Sequence, residues 1–224
     1  MTRTDDLLVS LEQKAAPGNA ALVVVDVQND FCADEGYFGK LGADVKAVQR
    51  MVPTLERLIE SARAARVLVV FVQAIYDPPY VSAPMRERNL RKNREMPRCI
   101  TGSWGADFYG VRPQPGDEVV IKHRYSGVIN TELDAVLKRH GVKSLLMTGV
   151  ATDTCVESTA RDAYFIDYYV TLVEDCCGAF SEQDHQNALA RFDRDYGAVV
   201  TAAEITACWM QAPALRVAAA GGDD

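Results

Sequence analysis

Residues 145–164, which read LLMTGVATDTCVESTARDAY, combine an apolar run, a turn and the start of a predicted helix. Its apolar first part is typical of a buried β-strand, and Gly149 marks the end of that strand. A threonine-rich turn follows, and Cys155 then lies at the start of a predicted helix. The N-terminus of a helix carries a partial positive charge and free N–H groups, which favour a thiolate and bind an oxyanion. Taken alone, such a cysteine is more often a buried packing residue, so the rest of the chain has to decide its role.

The same alternation of strand and helix extends along the whole chain. Apolar runs that are typical of strands buried on both faces of a parallel sheet occur at residues 20–26, 67–73, 117–122, 144–149, 168–174 and 198–201. Helical spacing of apolar residues occurs at residues 43–65, 129–141, 156–166, 183–196 and 203–210. Pro53 is expected in the first turn of a second helix within 43–65, and Asn130 or Thr131 as the N-cap of the helix that ends at Gly141. This order predicts an α/β fold with three layers, in which a doubly wound, mostly parallel six-stranded sheet has helices on both faces.

The composition is that of an ordinary globular protein, with 48% hydrophobic and 25% charged residues. A chain of 224 residues suits one domain, which we expect at residues 19–210, after an N-terminal arm at 1–18 and before a flexible tail at 211–224. The net charge of −7 argues against nucleic acid or anionic membranes as partners. A local group of arginines can still favour an anionic small substrate.

The N-terminus and the cysteines indicate a cytoplasmic protein. We see no signal peptide in residues 1–18 and no apolar run long enough to span a bilayer. The chain is long enough to bury a core without disulfides, so reduced thiols are expected at Cys32, Cys99, Cys155, Cys176, Cys177 and Cys208. Cys176 and Cys177 follow the predicted fifth strand and are expected to be structural.

Residues 74–110 are a long segment with little periodicity, several prolines and a basic run at residues 86–98. A segment of this length in a compact domain is usually functional or part of an interface. Its arginines either bind a substrate carboxylate or form a charged face toward solvent or another subunit, and the second interpretation is favoured here.

Three chemically reactive side chains lie where predicted strands end, namely Asp26, Lys122 and Cys155. In a parallel sheet all such ends lie on one edge, so these side chains can converge. A lysine stabilises a thiolate, and a carboxylate can take the thiol proton and return it to a leaving amine. Each residue also has a simpler interpretation: a cap for Asp26, a surface lysine for Lys122 and core packing for Cys155.

Three blocks resemble the signature motifs of the isochorismatase-like cysteine hydrolases: DVQNDF at 26–31, KHRYSG at 122–127 and GVATDTCV at 149–156. The resemblance covers roughly residues 19–205 and implies that Asp26, Lys122 and Cys155 are the catalytic triad. It also implies a cis peptide bond between Val150 and Ala151, and an oxyanion site formed by backbone N–H groups of the turn from Ala151 to Cys155.

Further stretches resemble the ureidoacrylate amidohydrolases and the related biuret hydrolases and N-carbamoylsarcosine amidohydrolases, which act on ureido C–N bonds. They include GSW at 102–104, PQPGD at 113–117 and CVEST at 155–159, whereas residues 74–98 depart from that pattern. Nicotinamidases in the family bind a metal through an aspartate and histidines, but no histidine here lies near Asp77. We therefore expect neither a metal nor a cofactor.

Aromatic and amide side chains on the loops at the strand ends are the expected substrate-binding residues: Phe31, Tyr37, Gln73, Trp104 and Tyr125. For Gln73 a loop-capping role is equally plausible, and Trp104 is more often a packing residue. Thr152 and Thr154 are expected to hold the turn before the nucleophile through side-chain hydrogen bonds.

The predicted function is a metal-independent cysteine amidohydrolase, which cleaves a C–N bond of a small linear ureide or amide through a thioester and assembles as a homodimer or homotetramer. One alternative is a catalytically silent family member that serves as a scaffold or regulator, although the intact triad weighs against it. Another is a thiol redox enzyme based on Cys155, which lacks an obvious resolving cysteine.

Overall fold

The computed structural model describes residues 7–94 and 96–211, which form a six-stranded sheet between two layers of helices. The strands are β1 (Ala20–Val25), β2 (Leu68–Ala74), β3 (Glu118–Lys122), β4 (Ser144–Val150), β5 (Tyr169–Gly178) and β6 (Ala198–Val200). Their order across the sheet is β3-β2-β1-β4-β5-β6, and every neighbouring pair is parallel. The predicted fold class is confirmed, and the sheet is wholly parallel.

Helices cover both faces of the sheet, and the central strands are apolar on both sides for this reason. The helices are α1 (Leu11–Ala15), α2 (Asn29–Cys32), α3 (Tyr37–Lys40), α4 (Val45–Gln49), α5 (Val52–Ala64), α6 (Ala83–Arg91), α7 (Leu133–Arg139), α8 (Glu157–Phe165), α9 (Glu182–Asp195) and α10 (Ala202–Gln211). Leu22 and Val24 of β1 pack in the core with α5 and α10. Ala21 and Val23, which point the other way, pack in the core with α7, α8 and α9.

The strand order places a topological switch point between β1 and β4. The chain builds the sheet outward from β1 through β2 and β3, and then continues on the other side of β1 with β4, β5 and β6. In open α/β sheets ligands bind outside the carboxyl ends of the strands at such a point. Asp26 directly follows β1, Lys122 ends β3 and Cys155 comes shortly after β4, so all three belong to this edge.

Several elements differ from the sequence-based expectations. Helix α7 begins at Leu133 with Glu132 as its N-cap, so the cap predicted at Asn130 or Thr131 is wrong. Residues 74–110 contain helix α6, which buries none of its residues and therefore leaves no apolar periodicity in the sequence. Strand β5 continues to Gly178, so the two adjacent cysteines lie within it, both buried. Pro53 lies in the first turn of α5 as predicted.

The described part of the N-terminal arm packs against the end of the domain. Trp209 Nε1 of α10 donates a hydrogen bond of 2.8 Å to the carbonyl of Ala15, and the Ala15 residue is fully buried. Of the predicted tail at 211–224, residues 212–224 lie outside the described residues. All six cysteines are free thiols. None of the helices in the described ranges has the length and hydropathy of a membrane span.

Candidate active site

Asp26 and Lys122 form a fully buried ion pair at the carboxyl edge of the sheet. Lys122 Nζ lies 2.8 Å from Asp26 Oδ2, and both side chains have 0% exposure. The ammonium group also donates to the backbone carbonyls of Arg124 at 2.8 Å and Tyr125 at 2.9 Å. All three of its protons therefore have acceptors, which compensates the cost of burying the charge.

The backbone conformation of Asp26 fixes the direction of its carboxylate. Its φ of 52° lies in the left-handed region, which costs a residue other than glycine about 1–3 kcal/mol. Its N–H still donates to the carbonyl of Val72 in β2 at 2.9 Å. The chain thus turns sharply out of β1 at the residue whose side chain meets Lys122.

Burial and charge act in opposite directions on this pair. Burial raises the pKa of the Asp26 carboxyl above its ordinary value, although the charge of Lys122 and the thiol of Cys155 both favour the carboxylate. Burial also opposes the charge on Lys122, but the negative charge of Asp26 and its hydrogen bond with the ammonium group act in the other direction, and the pKa of the ammonium group is raised. Lys122 therefore stays protonated, and Asp26 accepts a proton more readily than an ordinary carboxylate does.

The nucleophile turn begins with a cis peptide bond between Val150 and Ala151. Residues 152–156 then form a single π-helical turn, and α8 begins only at Glu157, so Cys155 lies just before the α-helix and not at its start. The N–H groups of Thr154 and Val156 both donate to the carbonyl of Ala151, at 3.0 and 3.1 Å. These bonds hold the turn in a compact form that presents the thiol toward Asp26.

Side chains on neighbouring elements fix this turn from two sides. Thr152 Oγ1 lies 2.8 Å from His185 Nδ1 of α9, which confirms that its side chain holds the turn. Thr159 Oγ1 donates to the carbonyl of Cys155 at 2.7 Å and accepts the N–H of Gly127 at 2.8 Å. It thereby connects the nucleophile to the loop that follows Lys122. Thr154 was also predicted to hold the turn through its side chain. Its Oγ1 donates a hydrogen bond of 3.2 Å to Oδ2 of the adjacent Asp153.

Burial disfavours the thiolate form of Cys155. It raises the pKa of the thiol to about 12, while the charge of Lys122 lowers that pKa and the charge of Asp26 raises it. Lys122 thus acts in the expected direction, but burial outweighs it. A buried thiol beside a buried carboxylate instead suits proton transfer during the attack itself.

A cavity of about 300 Å³ opens above Cys155. Three of the predicted substrate-binding residues, Phe31, Tyr37 and Tyr125, line it together with Ala151. Sequence reasoning missed the aromatic lining residues Phe38, Tyr76 and Phe180. It gave a role in the site only as the less favoured alternative for the basic lining residues Arg88, Arg94 and Arg98. The basic members come from the run at 86–98, which was interpreted mainly as a solvated or subunit-facing surface.

Gln73 and Trp104 are not brought to this cavity. Gln73 Nε2 donates to the carbonyl of Ala106 at 2.8 Å, which matches the loop-capping role. Trp104 is 52% exposed, and its carbonyl accepts the side-chain N–H of Asn29 at 2.7 Å. Among the described residues, no group of three or more His, Cys, Asp or Glu side chains is placed to hold a metal ion.

The polar residues that follow Asp26 support the site without lining it. Gln28 is fully buried; its side chain donates to the carbonyls of Ala74 and Ala106 at 3.0 and 2.9 Å and accepts the N–H of Ala74 at 2.8 Å. Asp30 accepts the N–H groups of Tyr37 at 3.0 Å and Cys99 at 2.6 Å. The DVQNDF block thus places the Asp26 carboxylate and organises the loops around the cavity. The sequence feature that indicates this supporting role is the run of polar residues at 28–30, shortly after the buried strand β1.

Comparison with known proteins agrees with this arrangement. Residues 20–205 match the model of the isochorismatase domain family. The chain is 40% identical over 172 residues to the ureidoacrylate amidohydrolase RutB of Pantoea ananatis (strain LMG 20103), covering 71% of this chain and 69% of that protein. It is 35% identical over 203 residues to RutB of Enterobacter sp. (strain 638), covering 84% and 88%.

Solved structures show the same fold. A cysteine hydrolase from Pseudomonas syringae pv. phaseolicola 1448A superposes with a TM-score of 0.77 at 27% identity, covering 87% of this chain and 93% of the other. N-carbamoylsarcosine amidase from Thermoplasma acidophilum superposes with a TM-score of 0.68 at 29% identity, covering 82% and 96%. On its sequence blocks, its fold and these matches, the chain belongs to the isochorismatase family.

Proposed function

We propose that this chain is a cysteine amidohydrolase that cleaves a C–N bond of a small linear ureide or amide through a thioester intermediate. The observation that carries the proposal is the buried ion pair of Asp26 and Lys122 beside the thiol of Cys155, which lines a cavity of about 300 Å³. Relatives that are named for hydrolysis of ureidoacrylate support a ureide as the substrate. Ureidoacrylate, biuret and N-carbamoyl compounds are the first candidates.

The reaction begins when Cys155 Sγ forms a bond to the carbonyl carbon. Asp26 takes the thiol proton at the same time, and the π electrons of the C=O bond move to its oxygen. The pKa of the Asp26 carboxyl is raised and is therefore closer to the pKa of the Cys155 thiol, which favours transfer of the proton from the thiol to the carboxylate. Backbone N–H groups of the turn from Ala151 to Cys155 stabilise the oxyanion.

The second half of the reaction returns each group to its starting state. The C=O bond reforms, the C–N bond breaks, and the proton on Asp26 moves to the leaving nitrogen. Water then attacks the thioester while Asp26 takes its proton, the C–S bond breaks, and the proton returns to Cys155. Lys122 remains an ammonium ion throughout, because all its protons are bound to acceptors, and its charge stabilises the carboxylate and the transient thiolate.

A panel of ureides and amides tests the proposal, with release of ammonia or amine as the readout. Cys155→Ala should lower kcat/KM by a factor of at least about 10³ while the circular dichroism spectrum stays unchanged. Cys208→Ala, which changes a partly buried thiol on α10, is the matched control and should keep activity within about twofold. Acid-quenched enzyme should carry the acyl group on Cys155 in a mass spectrum. Near-normal turnover by Cys155→Ala would refute the mechanism.

The proposal includes a homodimer or homotetramer in the cytoplasm. Support for an assembly comes from β3, an edge strand that leaves Val119 and Ile121 exposed on one face. Support for a reducing compartment comes from the free state of all six cysteines. Sedimentation velocity gives the number of subunits, and a monomer at all concentrations would contradict this part.

A further inference from the structure

Glu157, at the start of α8, is a buried charged residue that the proposed reaction does not use. Its side chain is 6% exposed, and it lies two residues after Cys155 in the CVEST block. Burial raises the pKa of its carboxyl, but hydrogen bonds from Arg191 and Arg161 outweigh burial, so that pKa is below its ordinary value. A buried charge is costly unless it is paired, and its retention this close to the nucleophile indicates a role.

Arg191 of α9 binds this carboxylate through both of its oxygens. Its Nε donates to Glu157 Oε1 at 2.7 Å, and its Nη2 donates to Oε2 at 2.6 Å. Two N–H···O bonds from one planar group fix direction as well as distance, which a single lysine contact does not. Arg161 also contacts Oε1, but it belongs to the same helix as Glu157. Arg191 is therefore the contact that ties the start of α8 to α9.

Helix α9 also holds the other end of the nucleophile turn. The N–H of Glu157 donates to the carbonyl of Thr152, and this bond closes the π-helical turn that contains Cys155. Thr152 Oγ1 lies 2.8 Å from His185 Nδ1 of α9. Both residues that close the turn are thus bonded to α9, one through His185 and the other through Arg191. A single π-helical turn is rare and occurs mostly at functional sites.

Packing between the two helices does not require this ion pair. Ala160 and Ala163 of α8 are buried in the same apolar core as Leu189 and Phe192 of α9. Replacement of a buried ion pair by apolar side chains is often neutral or stabilising, so stability alone does not account for a charged pair at this place. A bidentate pair adds to apolar packing a defined position of the carboxylate, and hence of the turn.

We propose that Glu157 and Arg191 are positioning residues, whose ion pair fixes the start of α8 against α9. The π-helical turn, and with it the Cys155 thiol, is thereby held in one position relative to the carboxylate of Asp26. This inference rests on the proposed hydrolase function and adds the contact that keeps its nucleophile in place. Displacement of a reacting group by about 1 Å can lower a rate by about 100-fold, so loss of the pair should affect kcat more than KM.

Turnover of a ureide or amide from the panel tests the inference, at a temperature at which circular dichroism shows each variant to be folded. Arg191→Met should lower kcat about 10- to 100-fold and change KM less than about threefold. Arg191→Lys, which retains the charge but not the planar fork, should keep more of kcat. Arg161→Met, which leaves Glu157 bonded to α9, should lower kcat less than Arg191→Met does. Arg194→Met, on the same helix and paired with the exposed Asp195, is the control and should keep kcat within about twofold.

Hydrogen exchange supplies a second readout, which needs no substrate. The N–H groups of Thr154, Val156 and Glu157 all donate to carbonyls of the turn, so their exchange reports its local opening. In Arg191→Met, exchange should be at least roughly tenfold faster in the peptide that contains residues 152–157, and unchanged in peptides from the central strands. Arg194→Met should leave exchange in both regions unchanged.

The possible outcomes separate the inference from the function on which it rests. An unchanged kcat in Arg191→Met, a loss confined to KM, equal losses for Arg161→Met and Arg191→Met, or unchanged exchange in the turn each overturns the inference. A pH profile of Glu157→Gln without the acidic limb of the unmodified enzyme shows that this carboxylate transfers a proton itself, which also overturns it. If Arg191→Met does not fold, Arg191→Lys and Glu157→Gln take its place in both measurements. If the unmodified enzyme hydrolyses no member of the panel, the hydrolase function fails, and exchange alone decides whether α9 positions the turn.

Discussion

Replacement of Lys122 by methionine tests the electrostatic description of the site most directly. The substitution keeps most of the aliphatic stem but removes the ammonium group that faces Asp26 at 2.8 Å. The carboxylate is then buried without a counter-charge, and the carbonyls of Arg124 and Tyr125 lose their donor. Removal of one partner from a buried ion pair usually costs about 3–5 kcal/mol of folding free energy.

Protonation of Asp26 limits this cost and makes it depend on pH. Protonation of a carboxyl with an ordinary pKa of 3.8 costs about 4.4 kcal/mol at pH 7, because each pH unit above the pKa contributes about 1.4 kcal/mol. Asp26 already has a raised pKa in the intact protein, so its contribution to the loss is smaller than this value. At pH 5 the same limit is about 1.6 kcal/mol.

The sign of the pH dependence follows from linkage. A carboxyl whose folded-state pKa rises further in the variant destabilises the folded state increasingly as the pH rises above its unfolded-state pKa, until the penalty levels off above the folded-state pKa; the penalty disappears as the pH falls. Lys122→Met should therefore lose more stability at pH 7 than at pH 5, by up to about 2.7 kcal/mol. Urea unfolding at the two pH values measures the difference.

Two further variants make the test specific. Asp26→Asn combined with Lys122→Met buries no charge, so at pH 7 the double variant should be more stable than Lys122→Met alone. Lys138→Met removes an exposed pair with Asp134 and should change stability by less than about 1 kcal/mol at either pH. Equal losses of stability at pH 5 and pH 7 for Lys122→Met, or a double variant less stable than the single one, would contradict this electrostatic description.

Three other predictions concern activity and packing. The kcat/KM profile should rise through the raised pKa of Asp26 and stay flat through neutral pH into the alkaline range, because the pKa of the Cys155 thiol is about 12; an alkaline limb near pH 8 would contradict this. Thr159→Val leaves the N–H of Gly127 without its acceptor, so urea unfolding should show a loss of about 1–3 kcal/mol, and kcat should fall because the turn is less well held. Gly149→Ala places a methyl group against the backbone of β1 at a φ of 109°, and a loss of less than about 1 kcal/mol in urea unfolding would be unexpected.

The strands could be predicted because their environment leaves a local record in the sequence. Residues 20–25 and 144–150 are buried on both faces, so each is an unbroken run of apolar or small residues. Helix α6 left no such record, since none of its residues is buried. The local signals for a helix there, which the prediction from sequence did not use, are the Ser82 cap and Pro84 in the first turn.

The candidate triad could also be predicted, because parallel topology places strand ends on one edge whatever their separation in the chain. Among the cavity residues, Phe31, Tyr37 and Tyr125 were found because they are aromatic side chains on the loops that follow predicted strands. Gln73 and Trp104 were selected by the same criterion, as amide or aromatic side chains near strand ends. The side chain of Gln73 instead bonds to the carbonyl of Ala106, and Trp104 lies on the surface.

The order of strands and helices, the parallel sheet and the three reactive residues at its edge can be read from the chain alone, because each is encoded in local periodicity and in the position where an apolar run ends. Two features emerge only when the chain is folded: burial disfavours the thiolate of Cys155, and three arginines of the basic run at 86–98 line the cavity. Both depend on burial and on contacts between distant segments. The balance between desolvation and the charges of Asp26 and Lys122 has no counterpart in any single stretch of the chain.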